Sequence, residues 1–218
     1  MLSAEPLARR TQAERTQATR AKLLDATVAC LAEVGYAHTT TTEVARRAGV
    51  SRGAQLHHFP TKTDLVLAAV EHLLDVHIEE FLRAVGELPA SADLLGSAID
   101  LLWDVFQGDS AVAWIELVIA ARTDPGLRLK VAEVGETLAD KVGAAWIEVC
   151  GDLLDDPAYA PFLTLAPSYL FTLLTGMAVT TMTGSDRARR EADEVLAATR
   201  RLTALLLPQI PTPTLGTS

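Results

Sequence analysis

Apolar residues recur at helical spacing along almost the whole chain. Leu24, Val28 and Leu31 fall at i, i+4 and i+7, with Thr27 between them, which predicts a first helix over about 16–34 with Gly35 as its C-terminal cap. Thr40 followed three residues later by Glu43 is a capping-box pattern, and it opens a short helix that ends at Ala48 and Gly49. A second short helix is expected at about 52–58. Pro60 breaks it, and Thr61 caps a long amphipathic helix carrying Leu65, Ala68, Ala69, His72, Leu73, Val76 and Phe81. Beyond Pro89 the pattern continues as helices at about 91–107, 110–122, 125–150, 160–183 and 187–207, divided by Gly108-Asp109, Asp124-Pro125-Gly126, Asp155-Asp156-Pro157 and Gly184-Ser185-Asp186. No strand pattern competes, so the fold class is all-α. Residues 1 to about 15 read as a flexible polar arm, and 208–218, with three prolines, as a disordered tail.

Charge divides the chain more sharply than the net of −9 suggests. Residues 1–62 carry a local net of +4, leaving −13 for the other 156. Attraction to phosphates is local and screened beyond about 8–10 Å, so a basic head can meet a polyanion although the whole chain is acidic. The 218 residues suffice for a small N-terminal unit and a larger helical one. Apolar runs are expected to be broken by charges before the ~20 residues a membrane span needs, and the polar N-terminus lacks the apolar core of a secretory signal. The expectation is a cytoplasmic protein with no membrane partner. Cys30 and Cys150, each inside an apolar helical pattern, read as buried free thiols rather than a disulfide or metal site.

The segment TTEVARRAGVSRGAQLHHF, residues 41–59, carries the chemistry. Two short helices at a steep angle need a turn free of side-chain interference, and Gly49 supplies a residue that takes positive φ without steric cost. Ala45 and Ala48 let the helices approach, and Val44 and Val50 fill the gap between them. With the apolar stripe of the first helix this makes a helix-turn-helix, whose second helix fits a major groove about 12 Å wide.

From Leu24 to Val66 the sequence resembles the DNA-binding domain of the tetracycline-repressor (TetR) family: EVGYAHTT, then EVARRAGVSRG, then HHFPTKTDL, in that order and spacing. The resemblance implies a helix-turn-helix DNA-binding domain over 16–62 and a helical ligand-binding and dimerisation domain over 63–207. It further implies a homodimer on double-stranded operator DNA with two half-sites, released when a small-molecule effector enters the body. On that scheme Ser51, Arg52 and Gly53 open the recognition helix, with Arg52 suited to a bidentate contact with guanine and Gly53 allowing close backbone approach. Thr40 and Thr41 are placed to meet a phosphate at a helix start; His57 and His58 diverge on the recognition helix and are expected among the DNA-binding residues, His57 by contact with a phosphate. Lys62, a cation opposing the helix dipole beside the Thr61 cap, is expected to clamp a phosphate. The sequence departs from the family at Gln55 and Leu56, where an aliphatic residue and a tyrosine are usual. Gln55 then either turns its amide outward at the core edge, toward adenine, or marks a slightly rotated helix, and Leu56 is left to touch a thymine methyl.

Other function classes find little support. His72 and His77, five apart, lie on different helix faces and form no metal pair, and there is no glycine-rich phosphate loop, no G-x-S-x-G elbow and no Cys-His partnership. No cofactor, metal or catalytic residue is expected. An architectural DNA-binding protein or scaffold would not need the apolar helices after the helix-turn-helix, whereas a transcriptional activator of the same fold stays open. Trp103, Phe106, Trp114, Phe171 and Met177 are expected to line a mostly apolar effector cavity within the bundle. The last two long helices, through Leu170, Leu173, Leu174, Met177, Ala178, Leu196, Leu202, Leu205 and Leu206, are expected to pair across a twofold axis.

Overall fold

The computed structural model describes residues 11–89 and 93–206, and every regular element among them is helical. In chain order these are α1 (Gln12–His38), α2 (Thr41–Ala48), α3 (Arg52–His58), α4 (Lys62–Gly86), α5 (Leu94–Phe106), α6 (Asp109–Ala121), α7 (Pro125–Cys150), a short 3₁₀ turn (Gly151–Leu154), α8 (Ala160–Thr181) and α9 (Asp186–Leu206). The tail expected over 208–218 and the first ten residues of the expected arm lie outside the described residues.

Local chemistry sets most helix starts. Thr11, Thr40, Ser51, Thr61, Asp93 and Asp124 stand in extended backbone at the N-cap, each accepting a hydrogen bond from an amide in the first turn, and Pro125 follows Asp124 where its missing N–H costs nothing. Thr11 and Glu14 form a full capping box, so α1 begins at Gln12 and residues 12–15 of the expected arm are helical. The box at Thr40 is half formed: Thr40 Oγ1 accepts the Glu43 amide, but the Glu43 carboxylate binds Arg46 and Arg47. Two guanidiniums outcompete a backbone N–H for that carboxylate.

Gly35 interrupts α1 where its cap is expected, and one further turn follows the break. At φ 73° and ψ 171° it breaks the helical path, and the chain resumes a last turn through His38. Gly49, at φ 66° and ψ 32°, closes α2 in the left-handed conformation expected of it.

The main core joins the two ends of the domain scheme. Leu23, Leu24, Leu31, Val44 and Phe59 pack in one cluster with Leu65, Val66, Ala69 and Val70 of α4, and with Ala113, Leu117, Leu127 and Val131 of α6 and α7. Ion pairs between Lys130 and Asp64 and between Lys141 and Asp75 further tie α7 to α4. Three smaller clusters fill the body. One gathers Ile99, Trp103, Leu174, Met177, Ala178, Ala192 and Leu196, a second Leu95, Trp146, Cys150, Leu163 and Ala166, and a third Val85, Leu94 and Val149. Cys30 belongs to the main cluster, and both cysteines are buried and free, with the Cys150 thiol pushed up to about 12 by burial.

The expectation that charges interrupt every apolar run fails at α8. No charged residue stands between Asp156 and Asp186, and this 22-residue helix is long and apolar enough to cross a membrane by length and composition. Instead Leu163, Ala166, Leu174, Met177 and Ala178 pack into the body. Pro167 sits inside α8 and cannot bond the Leu163 carbonyl, which accepts the Trp146 indole N–H at 2.8 Å.

Candidate DNA interface and effector cavity

The steep pair α2 and α3 is held from three sides. Val44 and Ala45 are buried beneath α2, Val50 bonds its amide to the Ala45 carbonyl across the turn, and Gln55 and Phe59 anchor α3. Arg47 joins Glu43 to Glu33 of α1 at 2.9 and 2.7 Å. Hydrogen bonds from Arg46 and then Arg47 hold the Glu43 carboxyl down to about 2.

This packing leaves Ser51, Arg52, Gly53, Leu56 and His57 exposed on α3, and Thr40 exposed at the start of α2. A Cβ at Gly53 would meet only Ser51 Oγ, at 4.0 Å, so the first turn of α3 presents nearly bare backbone. Arg52 donates through Nη1 to Thr42 Oγ1, which draws its guanidinium across the starts of both helices. Thr42 is a residue that sequence reasoning missed, and ten positions of separation gave no signal for it. Leu56 is 44% exposed, an apolar side chain presented to solvent. Thr41 and His58 are half-buried, the latter against Phe59.

One expected contact is corrected. Gln55 is 0% exposed; its Nε2 donates to the Phe59 carbonyl at 2.8 Å, closing the end of α3, so the amide turns inward and cannot reach a base. Its Oε1 has no partner. Lys62 is half-buried, with its ammonium donating to the Tyr36 carbonyl and lying 4.1 Å from the centroid of the Tyr36 ring. Burial lowers its pKa, and these contacts hold the ammonium at the start of α4.

Within the body, a cavity of about 140 Å³ lies among α4, α5, α7 and α8. Leu74, Ile78, Phe106, Trp146, Phe171 and Leu174 give it an almost wholly apolar wall, in which Phe106 meets Phe171 edge to face at 5.8 Å. The one ionisable side chain of the wall is His77, whose Nε2 lies 2.6 Å from Ser110 Oγ and whose Nδ1 lies 3.5 Å from the Glu80 carboxylate. Of the five expected lining residues, only Phe106 and Phe171 are there. Met177 is core; Trp103 is core on one side and borders a separate groove with Arg189 and Asp193 on the other; Trp114 packs on the main cluster and against Gly135. Helix phase explains the difference: Trp103 and Met177 share a cluster with Ala192 and Leu196 of α9, and Trp114 lies against the main cluster and Gly135 of α7. Trp146 and His77 were missed because nothing in sequence distinguishes a cavity wall from a core.

The same α8 and α9 leave large apolar side chains uncovered. Phe162, Leu165 and Tyr169 follow one stripe of α8 and Val195, Leu202 and Leu205 one stripe of α9, with Leu165 67% and Leu205 76% exposed. By contrast Leu174, Met177, Ala178 and Leu196, expected at a dimer contact, are buried in the chain's own core.

Residues 23–69 match the family model described as bacterial regulatory proteins, tetR family. The HTH-type transcriptional regulator CymR of Pseudomonas putida is 34% identical over 186 residues, covering 84% of this chain and 89% of that protein. Among solved structures, a transcriptional regulator from Saccharomonospora viridis in complex with choline superposes with a TM-score of 0.60 at 14% identity, over 87% of this chain and 96% of that one. The regulator FadR from Bacillus subtilis in complex with stearoyl-CoA superposes with a TM-score of 0.58 at 20% identity, over 86% and 97%.

Proposed function

The chain belongs to the TetR family of bacterial transcriptional regulators, and from that footing we propose that it represses transcription as a homodimer on a palindromic operator and is released by a small, mostly apolar effector. The observation that carries this reading is the exposed start of α3, bare at Gly53 and crossed by Arg52, joined through one continuous helix, α4, to an apolar cavity.

On DNA, Arg52 reads a guanine edge in the major groove and Leu56 contacts a thymine methyl. Ser51 and Gly53 bring the backbone close, and the hydroxyls of Thr40 and Thr41, with His57 and the edge of His58, meet phosphates. Two copies are required, because successive major grooves on one face lie about 34–36 Å apart. The uncovered stripes of α8 and α9 supply the self-complementary apolar surface for that pairing. Such a protein works in the cytoplasm, where the chromosome is.

The effector reading is supported by the cavity's size and chemistry. An apolar cavity of about 150 Å³ holds a molecule of benzene's size, and this one adds a single polar anchor at His77. That fold neighbours were crystallised with choline and with stearoyl-CoA agrees with a body built to enclose small molecules. An effector in the cavity displaces α4 away from α5, α7 and α8, and α4 begins beside the recognition helix, so the spacing of the half-sites changes and affinity falls.

Selecting bound sequences from a random duplex pool tests the proposal. The expected result is an inverted repeat, with Arg52→Ala relaxing one base position per half-site by about 1–3 kcal/mol. Enrichment of no sequence, or a monomer in sedimentation at micromolar concentration, overturns it.

A further inference from the structure

Tyr36 stands just after the bend in α1, and both of its backbone polar groups are held by side chains from distant helices. Its N–H donates to Oε2 of Glu116 on α6 at 3.1 Å, and its carbonyl accepts from Nζ of Lys62 at the start of α4. The bend makes room for this arrangement. A Cβ at position 35 would stand 2.6 Å from Glu116 Oε2, so Gly35 admits the carboxylate as well as the positive φ. Directly downstream, the Thr39 amide and hydroxyl both bond to the Gly35 carbonyl, at 3.2 and 2.8 Å, and Thr40 caps α2. The setting of the Tyr36 peptides therefore fixes where the helix-turn-helix begins.

The two helices that hold Tyr36 meet again at the cavity. There His77 of α4 bonds Ser110 of α6, six residues or about 9 Å along α6 from Glu116. α4 and α6 are thus linked by polar contacts at two levels, one on the cavity wall and one on α1.

We propose that Glu116 is a positioning residue that carries the state of the cavity to the DNA-binding helices through the Tyr36 amide. A polar group of the effector that takes His77 away from Ser110 frees α6 to shift against α4. Glu116, bonded to Tyr36 by a charge-assisted hydrogen bond, converts that shift into a displacement of the α1–α2 corner, while Lys62 keeps the same residue referenced to α4. The inference rests on the effector-release reading above.

The test uses the full chain, the duplex enriched by selection, and no effector: Ser110→Ala removes the His77 bond in its place. Ser110→Ala should weaken operator binding about tenfold and speed hydrogen exchange of the Tyr36 amide in the DNA-free protein. In a Glu116→Ala background the same substitution should change operator affinity less than about twofold, a non-additivity that general destabilisation does not produce. Glu116→Gln, which keeps an acceptor for the amide, should restore part of the response, and it carries the cycle alone if Glu116→Ala does not fold. Equal responses to Ser110→Ala with and without the carboxylate overturn the proposal, as does Tyr36 exchange that ignores both substitutions. If the wild-type chain enriches no duplex, the repressor reading falls by itself, and the exchange measurement still decides the joint.

Discussion

The helix-turn-helix and the helical body share a core but are specified by different kinds of information. In α2 and α3 the important positions are fixed by backbone demands: an αL glycine at 49, caps at Thr40 and Ser51, and alanines where helices touch. In the body they are fixed by burial alone, and a cavity differs from a core only by atoms that are missing. A short motif therefore announces the first region, while the second is recognised by its architecture.

The widest break in that comparison comes from the residues both regions share. Leu117→Ala, at a fully buried site on α6 that packs with Leu24, Leu31 and Leu65, should cost about 2–5 kcal/mol. Urea unfolding followed by far-UV signal and by operator binding should then lose both in one transition; two separated transitions would make the regions independent units. Gly35→Ala should cost about 1–3 kcal/mol, because it forces a side chain into positive φ and against Glu116, and calorimetry should show the loss.

Gln55→Leu sharpens the boundary between packing and recognition. It replaces a buried amide that has an orphaned oxygen, so stability should move by no more than about 1 kcal/mol. Base preference in the selected operator should stay the same at every position; a changed preference would place Gln55 on DNA after all. The smallest effect is electrostatic. Glu43 has its pKa lowered to about 2 by Arg46 and Arg47, so its pairing stabilises the native state fully above its unfolded value near 4.5 and is lost as pH falls toward 2. An NMR titration of the Glu43 carboxyl should show that low midpoint, and Arg47→Ala should raise it.

Sequence reasoning located these helices to within a few residues, because caps and glycines mark their ends, and the helical path of α1 breaks at Gly35 as expected. What carries no local signal is the further turn to His38, where the Glu116 carboxylate accepts the Tyr36 amide. Lys62 shows a related limit. Its position at a helix start points to an external anion, but gives no sign of the carbonyl 26 residues earlier that its ammonium bonds within the chain. Long-range polar contacts of this sort leave no periodic trace. Trp103, Trp114 and Met177 show the complementary limit, since helical phase says that a residue is buried but not whether its neighbours leave a gap.

The two free cysteines offer a clock for each region. Cys30 lies in the cluster that seats the DNA-binding helices, and Cys150 in the cluster around Trp146 behind the cavity. Neither thiol can be alkylated until its own surroundings open, so the two labelling rates, resolved by mass spectrometry in a single sample, time separate breathing motions of one molecule. A compound that closes on the cavity would slow the second clock, and a bound operator the first, giving an assay for ligands that requires neither dye nor reporter gene.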